Sequence, residues 1–163
     1  METIRAARVD DLPAILAIYN HYVAQSTCTY QIQPDTLAER SAWFDAHGAA
    51  HPVTVAVNAG AVVGWGSLGP FRHQQAYART VENSVYVHHQ HHRRGIGSRL
   101  LADLVERARG LGHHVVVALI SADQEASVRL HERAGFSEAG RLREVGHKFG
   151  RWLDVLSYHL LIA

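Results

Sequence analysis

The 163-residue chain carries 16 Lys and Arg against 15 Asp and Glu, a formal net charge of +1, and is 47% hydrophobic. A length close to about 150 residues favours one domain, so we expect residues 1–163 to fold as a single unit with its own core. The balanced charge excludes a protein-wide basic field for nucleic acid or anionic lipid, and no run approaches the roughly 18 apolar residues of a membrane span.

Hydrophobic periodicity along the chain predicts the element order β α α β β β α β α β β. The predicted strands lie at 3–9, 53–57, 61–68, 79–87, 113–121, 138–145 and 152–161. The predicted helices lie at 10–25, 34–48, 96–110 and 123–134. A strand, a helix and a strand between 81 and 120 predict one parallel pair with a right-handed crossover. The chain is therefore predicted to be a mixed α/β protein.

Several local signals place the ends of these elements. Thr36 and Glu39 have the spacing of a capping box, and we expect Gly48 to end that helix. Asn58 and Gly60 tolerate positive φ, so the stretch between the second and third strands predicts a hairpin turn.

The stretch VYVHHQHHRRGIGSRLL, at 85–101, concentrates histidine, arginine and glycine where a strand meets a helix. Its histidines are His88, His89, His91 and His92. A metal site is disfavoured because strand neighbours point to opposite faces and no Cys or carboxylate accompanies them. A nucleic-acid patch is disfavoured because no basic recognition helix or aromatic-rich strand pair is present. We expect no metal and no nucleic-acid partner.

A phosphate-binding turn is the third interpretation of this stretch. The first N–H groups of a helix have no internal partner, and the helix dipole adds positive charge there. Gly95 and Gly97 lack Cβ atoms, so an anion can approach the backbone, while Arg93 and Arg94 add charge. A plain strand-to-helix turn remains the alternative at this point.

The segment HRRGIG, at 92–97, resembles motif A of the GNAT acetyltransferases, Q/R-x-x-G-x-G/A, with His92 in place of Gln or Arg. The segment QEASVRLHERAGF, at 124–136, resembles the next conserved block of that family. The stretches TVENSVYV, RLHERAGF and VGHKFGRWLDV together resemble the phosphinothricin and methionine sulfone/sulfoximine N-acetyltransferase branch. In that branch a histidine is expected at the position of His131.

This resemblance implies the GNAT fold, a mostly antiparallel sheet with one splayed parallel pair. It also implies acetyl-CoA as cosubstrate, with its pyrophosphate on the turn at 93–98 and its pantetheine arm along 85–87. The implied CoA-binding residues are Val85, Tyr86, Val87, Arg93, Arg94, Gly95, Ile96, Gly97, Ser98 and Gln124.

Acetyl transfer to an amine requires a base, because an α-amine arrives mostly as ammonium. The resemblance implies Glu82 as that base, His131 as a proton donor or relay, and a backbone N–H of 85–87 as oxyanion donor. Arg72 is our candidate for the acceptor's carboxylate, since a guanidinium pairs with it bidentately. The expected acceptor-binding residues are Arg72, His73, Gln74, Glu82, Asn83 and Ser84.

The expected acceptor is a small amino-acid-like molecule, and a homodimer is expected from the same branch. Another amine as acceptor (a polyamine, an aminoglycoside or a peptide N-terminus) and a non-catalytic CoA-binding module remain alternatives. The role of Lys148, in the segment 147–154, is left open.

A cytoplasmic setting is expected from two features. The single cysteine, Cys28, permits no disulfide within the chain. The N-terminal stretch METIRAARVDDLPAI carries charges throughout and lacks the apolar region of a signal peptide.

Overall fold

A computed structural model describes residues 1–162 and has the element order that the sequence predicts. The strands are β1 (Thr3–Ala6), β2 (Val53–Asn58), β3 (Ala61–Pro70), β4 (Thr80–Val87), β5 (Val115–Ser121), β6 (Ser137–Lys148) and β7 (Arg151–Leu161). The helices are α1 (Leu12–Gln25), α2 (Leu37–Asp45), α3 (Ile96–Gly110) and α4 (Glu125–Arg133). None of the helices in this part of the chain is long and apolar enough to cross a membrane.

All seven strands form one sheet in the order β1-β2-β3-β4-β5-β7-β6. Every neighbouring pair is antiparallel except β4 and β5, as the resemblance implied. The parallel pair has only three registered positions, at Thr80, Val81 and Glu82, although both strands continue. The two strands therefore diverge after Glu82 and leave a wedge open between them.

Helices cover both faces of the sheet, and side-chain alternation along β4 divides its residues between the two faces. Val81 and Val85 pack with α3 residues such as Leu101 and Leu104. Tyr86 packs on the other face with Trp65 and the α1 core. Glu82 and Ser84 consequently face α1 and α2, and Asn83 faces the side of α3 and α4.

Two glycines of β3 allow α3 to lie close to the sheet. A Cβ at Gly66 would lie 2.9 Å from Leu104 Cδ1, and a Cβ at Gly64 would lie 3.1 Å from Leu100 Cδ1. The helix that follows the turn after β4 is thus held against β3, which pairs with β4.

Some predicted boundaries were wrong in detail. The first strand ends at Ala6, because Val9–Asp11 forms a 3-10 turn ahead of α1. The capping box of Thr36 and Glu39 is confirmed, with bonds of 2.7 and 3.2 Å, but α2 ends at Asp45, before Gly48.

The hairpin between β2 and β3 is also confirmed, with a correction to its turn. The residues with positive φ are Ala59 and Gly60, at 48° and 79°. Asn58 instead pairs with Ala61 as the last residue of β2. Consecutive positive φ values at both central positions are typical of a two-residue hairpin turn whose twist matches the strands.

Candidate active site

A cavity of about 300 Å³ occupies the wedge between β4 and β5. One wall is β4 at 82–86 and the opposite wall is β5 at 118–121. The loop at 27–30, between α1 and α2, closes a third side, and α4 contributes Ser127, Leu130 and His131. Two divergent strands, one loop and one helix therefore converge on one space.

Glu82 lies at the apex of the wedge, at the last position where β4 and β5 still pair. Desolvation by burial raises the pKa of its carboxyl above the ordinary value of a glutamate. Arg79, the nearest basic residue along β4, donates to the Gly112 carbonyl at 2.9 Å. A half-buried carboxylate with a raised pKa is suited to accept a proton from an amine.

Asn83 and His131 form a buried pair on the α4 side of the wedge, with exposed fractions of 7% and 4%. Asn83 Nδ2 donates to the Val117 carbonyl at 3.2 Å, which leaves Asn83 Oδ1 at 3.2 Å from His131 Nε2. His131 Nδ1 lies 2.8 Å from the Ser127 carbonyl. Both ring nitrogens therefore face oxygen acceptors.

Burial lowers the pKa of His131, so the ring is driven towards its neutral form. A neutral ring has one N–H for two acceptors, whereas a protonated ring satisfies Asn83 and Ser127 together. A proton taken up by His131 is thus stabilised by its neighbours while burial opposes it. This balance is suited to a group that holds a proton transiently.

The turn between β4 and α3 has the backbone geometry of an anion-binding site. Gly95 caps α3 with φ 74°, and Arg93 has φ 62°. The N–H of Arg99 bonds to the Gly95 carbonyl at 3.2 Å, so the helical ladder begins there. The amides at 95–98 precede it and, as the first N–H groups of a helix, have no partner within it. The exposed Arg93 and Arg94 flank this helix end.

His92, which departs from the motif, connects this turn to α1. Its Nε2 lies 2.6 Å from the Tyr22 hydroxyl and 3.3 Å from the Val87 carbonyl. Burial raises the pKa of Tyr22 to about 12, so the hydroxyl stays protonated. It donates a hydrogen bond to the Val87 carbonyl. The imidazole therefore fixes the end of β4 where the turn begins.

The other histidines of the turn stack on one another. Ring centroids are 4.5 Å apart for His88 and His89, and 4.0 Å apart for His89 and His21 of α1. Among residues 1–162 no group of three or more His, Cys, Asp and Glu is placed to hold a metal ion.

The structure brings some of the predicted residues to the cavity and leaves others outside it. Glu82, Asn83, Ser84, Val85, Tyr86 and His131 line the cavity. Gln124 lies at the start of α4, where its Nε2 donates to Thr27 Oγ1 at 2.8 Å.

The loop at 71–75 is exposed and follows the end of β3 that pairs with Glu82. Within this loop the Arg72 guanidinium lies over the Phe71 ring, 5.1 Å from its centroid. Arg72, His73 and Gln74 are not among the residues that line the cavity.

Sequence reasoning considered Tyr30 as a possible pocket wall but missed the rest of the loop at 27–30, which supplies Thr27, Cys28 and Thr29 to the cavity as well. It also missed the β5 wall at 118–121. The only sequence signal for the loop was its position between two predicted helices.

Comparisons with known proteins agree with this geometry. A model of the acetyltransferase (GNAT) family matches residues 15–136. The L-methionine sulfoximine/L-methionine sulfone acetyltransferase of Pseudomonas paraeruginosa is 47% identical over 155 residues, which cover 94% of this chain and 90% of the relative. The phosphinothricin N-acetyltransferase of Streptomyces viridochromogenes is 39% identical over 152 residues, which cover 93% of this chain and 83% of the relative.

A solved structure shares the whole fold. The GNAT superfamily phosphinothricin acetyltransferase from Sinorhizobium meliloti, in complex with acetyl-CoA, superposes with a TM-score of 0.96 at 34% identity. The match covers 98% of this chain and 88% of that one. The chain described here belongs to the GNAT acetyltransferase family.

Proposed function

We propose that this protein transfers an acetyl group from acetyl-CoA to the amino group of a small amino-acid-like substrate. The observation that carries the proposal is the open wedge between β4 and β5, with a half-buried Glu82 at its apex. Relatives named for methionine sulfoximine, methionine sulfone and phosphinothricin support substrates of this type.

The residues present fit acetyl-CoA at two places. The unpartnered amides at 95–98, beside Arg93 and Arg94, would hold the diphosphate, because Gly95 adopts the left-handed conformation that exposes them. The backbone at 85–87 lies beyond the last β4–β5 pair and would hold the pantetheine arm. When bound, acetyl-CoA supplies the thioester-activated acetyl group.

Glu82 would act as the general base, directly or through a water molecule. The acceptor amine must lose a proton before it can attack. Burial raises the pKa of Glu82, which makes its carboxylate a stronger base for that proton. Because Glu82 faces α1 and α2, the acceptor would approach from that side of β4.

His131 would hold or deliver a proton on the opposite side of β4, where Asn83 and Ser127 accept from its ring. Glu82 and His131 thus flank the strand from its two faces. This separates the group that takes the amine's proton from the group that supplies one to the leaving thiolate.

Arg72 remains our candidate for the acceptor's carboxylate, with His73 and Gln74 beside it. The loop leaves β3 next to Glu82, since Gly69 pairs with Glu82, and the arginine is exposed and free to reorient. Ser84 and Asn83 would contact polar oxygens of the acceptor side chain.

The protein would be a homodimer, formed by one 1–163 domain from each chain, and would work in the cytoplasm. Its edge strand β6, the turn after it and the start of β7 expose large apolar side chains, including Leu142, Val145, Phe149 and Trp152. A second copy of the chain would cover them. The single free cysteine suits a reducing compartment.

The test is an assay of thiol release from acetyl-CoA across a panel of amino acids, peptides and polyamines. The wild-type protein should acetylate methionine sulfone, methionine sulfoximine or phosphinothricin faster than cationic amines, because Arg72 would pair with a carboxylate and repel a cationic group. Arg72→Ala should raise KM only for substrates that carry a carboxylate. An equal rise in KM for acceptors without a carboxylate would show that Arg72 does not bind the acceptor's carboxylate.

A further inference from the structure

Lys148, the last residue of β6, is the only lysine in the sequence, and it is buried with 4% exposure. Its Nζ donates to the Ser26 carbonyl at 2.7 Å and to the Thr29 carbonyl at 2.8 Å. None of the ion pairs formed by residues 1–162 includes it. An ammonium taken out of water without a carboxylate partner carries a desolvation cost, and burial lowers its pKa accordingly.

Both carbonyls belong to the segment 26–30, which runs from the end of α1 along the cavity. The segment makes a second contact with β6 through Tyr30. A Cβ at Gly146 would lie 2.5 Å from Tyr30 Cε2, so the ring packs flat on the glycine backbone. The Tyr30 hydroxyl lies 2.8 Å from Ser121 Oγ and 2.9 Å from the Asp154 carbonyl, which are the two acceptors within reach of its single proton.

We propose that Lys148 is a positioning residue for acetyl transfer: its ammonium clamps the segment 26–30 to β6 and so holds the acceptor-side wall of the cavity in place. The inference rests on the proposed function, because the wall matters only if the cavity is the acetyl-transfer site. Gly146 supports the same wall by admitting the Tyr30 ring. The lysine itself touches neither the cavity nor the residues proposed for catalysis.

Removal of the ammonium leaves two carbonyls without a donor. A buried carbonyl without a donor is unfavourable, and exposure to water relieves that cost. The segment lies between two helices and carries no strand pairing, whereas β6 pairs with β7 on both sides of an irregularity between Leu142 and Gly146. We therefore expect Lys148→Met to release the segment and to leave the sheet intact.

The chain contains its own reporter, because Cys28 is the only cysteine and lies within the segment. Burial raises the pKa of its thiol, and the nearby Lys148 charge acts in the opposite direction. Loss of that charge alone would slow the reaction of Cys28 with Ellman's reagent, since the thiolate is the reactive form. Release of the segment would accelerate it, so the two effects have opposite signs.

The experiment measures the rate of Cys28 modification in the free protein, followed by steady-state kinetics. Lys148→Met should react about tenfold faster than wild type, because a local opening replaces a protected state. Lys148→Arg, which keeps the charge and several N–H donors, should stay closer to wild type. Gly146→Ala should also accelerate the reaction, although it changes no charge, since Tyr30 must move.

Two controls match these variants on the same strand. Gly140→Ala introduces the same methyl group where nothing lies within 4 Å. Arg143→Met removes an exposed charge of β6. Both should react at the wild-type rate.

In the kinetic assay KM for the acceptor should rise about tenfold in Lys148→Met, while KM for acetyl-CoA stays within about twofold, because the wall lies on the acceptor side. A Cys28 rate in Lys148→Met that is unchanged or slower would overturn the proposal. Global unfolding of Lys148→Met would also contradict it, and an unchanged Cys28 rate in Gly146→Ala would show that β6 does not hold the wall. Absence of acetyl transfer by the wild type would refute the proposed function and leave the thiol measurement valid.

Discussion

Glu82 is the residue on which the proposed chemistry depends, so its replacement should separate catalysis from binding. Glu82→Gln keeps the size of the side chain and removes the base. We expect kcat to fall by roughly 10²–10⁴-fold, the usual contribution of a positioned acid or base. The dissociation constant for acetyl-CoA, measured by calorimetry, should not change. Glu138→Gln, on the exposed part of β6, is the control and should retain full activity.

The same substitution should stabilise the protein at neutral pH. Burial raises the pKa of Glu82 above the ordinary value of a glutamate, so the folded state holds this proton to a higher pH than the unfolded chain. The free energy of unfolding therefore falls as the pH rises from the pKa of Glu82 in the unfolded chain to its pKa in the folded state. Above that range the ionised Glu82 destabilises the fold. Glu82→Gln should have a higher Tm than wild type at pH 7, with the difference lost below about pH 4. A lower Tm at pH 7 would indicate a stabilising partner for the carboxylate.

Single residues also mark the limit of what the sequence could predict about the site. Glu82, Asn83 and His131 were predicted because they stand within recognisable motifs, and the structure places all three at one cavity. Cys28 and Thr29 were missed because a loop's path across a sheet depends on contacts distant in sequence. The bonds from Lys148 to that loop span 122 and 119 residues, and no local pattern encodes them.

Helix α3 and the turn before it form the element that would bind the diphosphate. Gly95→Ala should strain this turn, because φ 74° is unfavourable for any residue with a Cβ. The left-handed conformation costs about 1–2 kcal/mol for such a residue. A change in backbone conformation that relieves this strain would point the amides at 95–98 away from the diphosphate.

We expect Gly95→Ala to weaken acetyl-CoA binding about tenfold, a change of about 1.4 kcal/mol, when titrated by calorimetry. Gly110→Ala, at the other end of the same helix, meets no neighbour within 4 Å and has no positive φ. Gly110→Ala serves as the control. Equal weakening of acetyl-CoA binding in both variants would show that the turn does not belong to the binding site.

The elements were predicted well because each carries a strong local signal. Short apolar runs bounded by turn signals predicted the strands, and the six buried apolar residues of α3 recur at helical spacing. The divergence of β4 and β5 came from the resemblance alone. β5 is a nearly continuous apolar run and β4 carries three polar residues in its middle, and neither pattern tells where the pairing of the two strands stops.

The whole molecule presents an exposed apolar edge that should determine its oligomeric state. Trp152, near the start of β7, is 65% exposed. Phe149, in the turn between β6 and β7, is also exposed. Trp152→Glu should convert the proposed dimer to a monomer, because a charge on that face cannot be buried without a partner. Light scattering coupled to size-exclusion chromatography measures the mass directly. Val9→Glu, at an equally exposed apolar residue before α1, should leave the mass unchanged.

The turn after β4 is proposed to bind the diphosphate and thereby to bring the acetyl group to Glu82. The most direct measurement is a crystal structure of this protein with coenzyme A. We predict that both phosphates lie on the amides at 95–98 and that the thiol ends in the wedge between Glu82 and His131. Phosphates bound elsewhere, or a pantetheine arm that does not enter the wedge, would contradict the account.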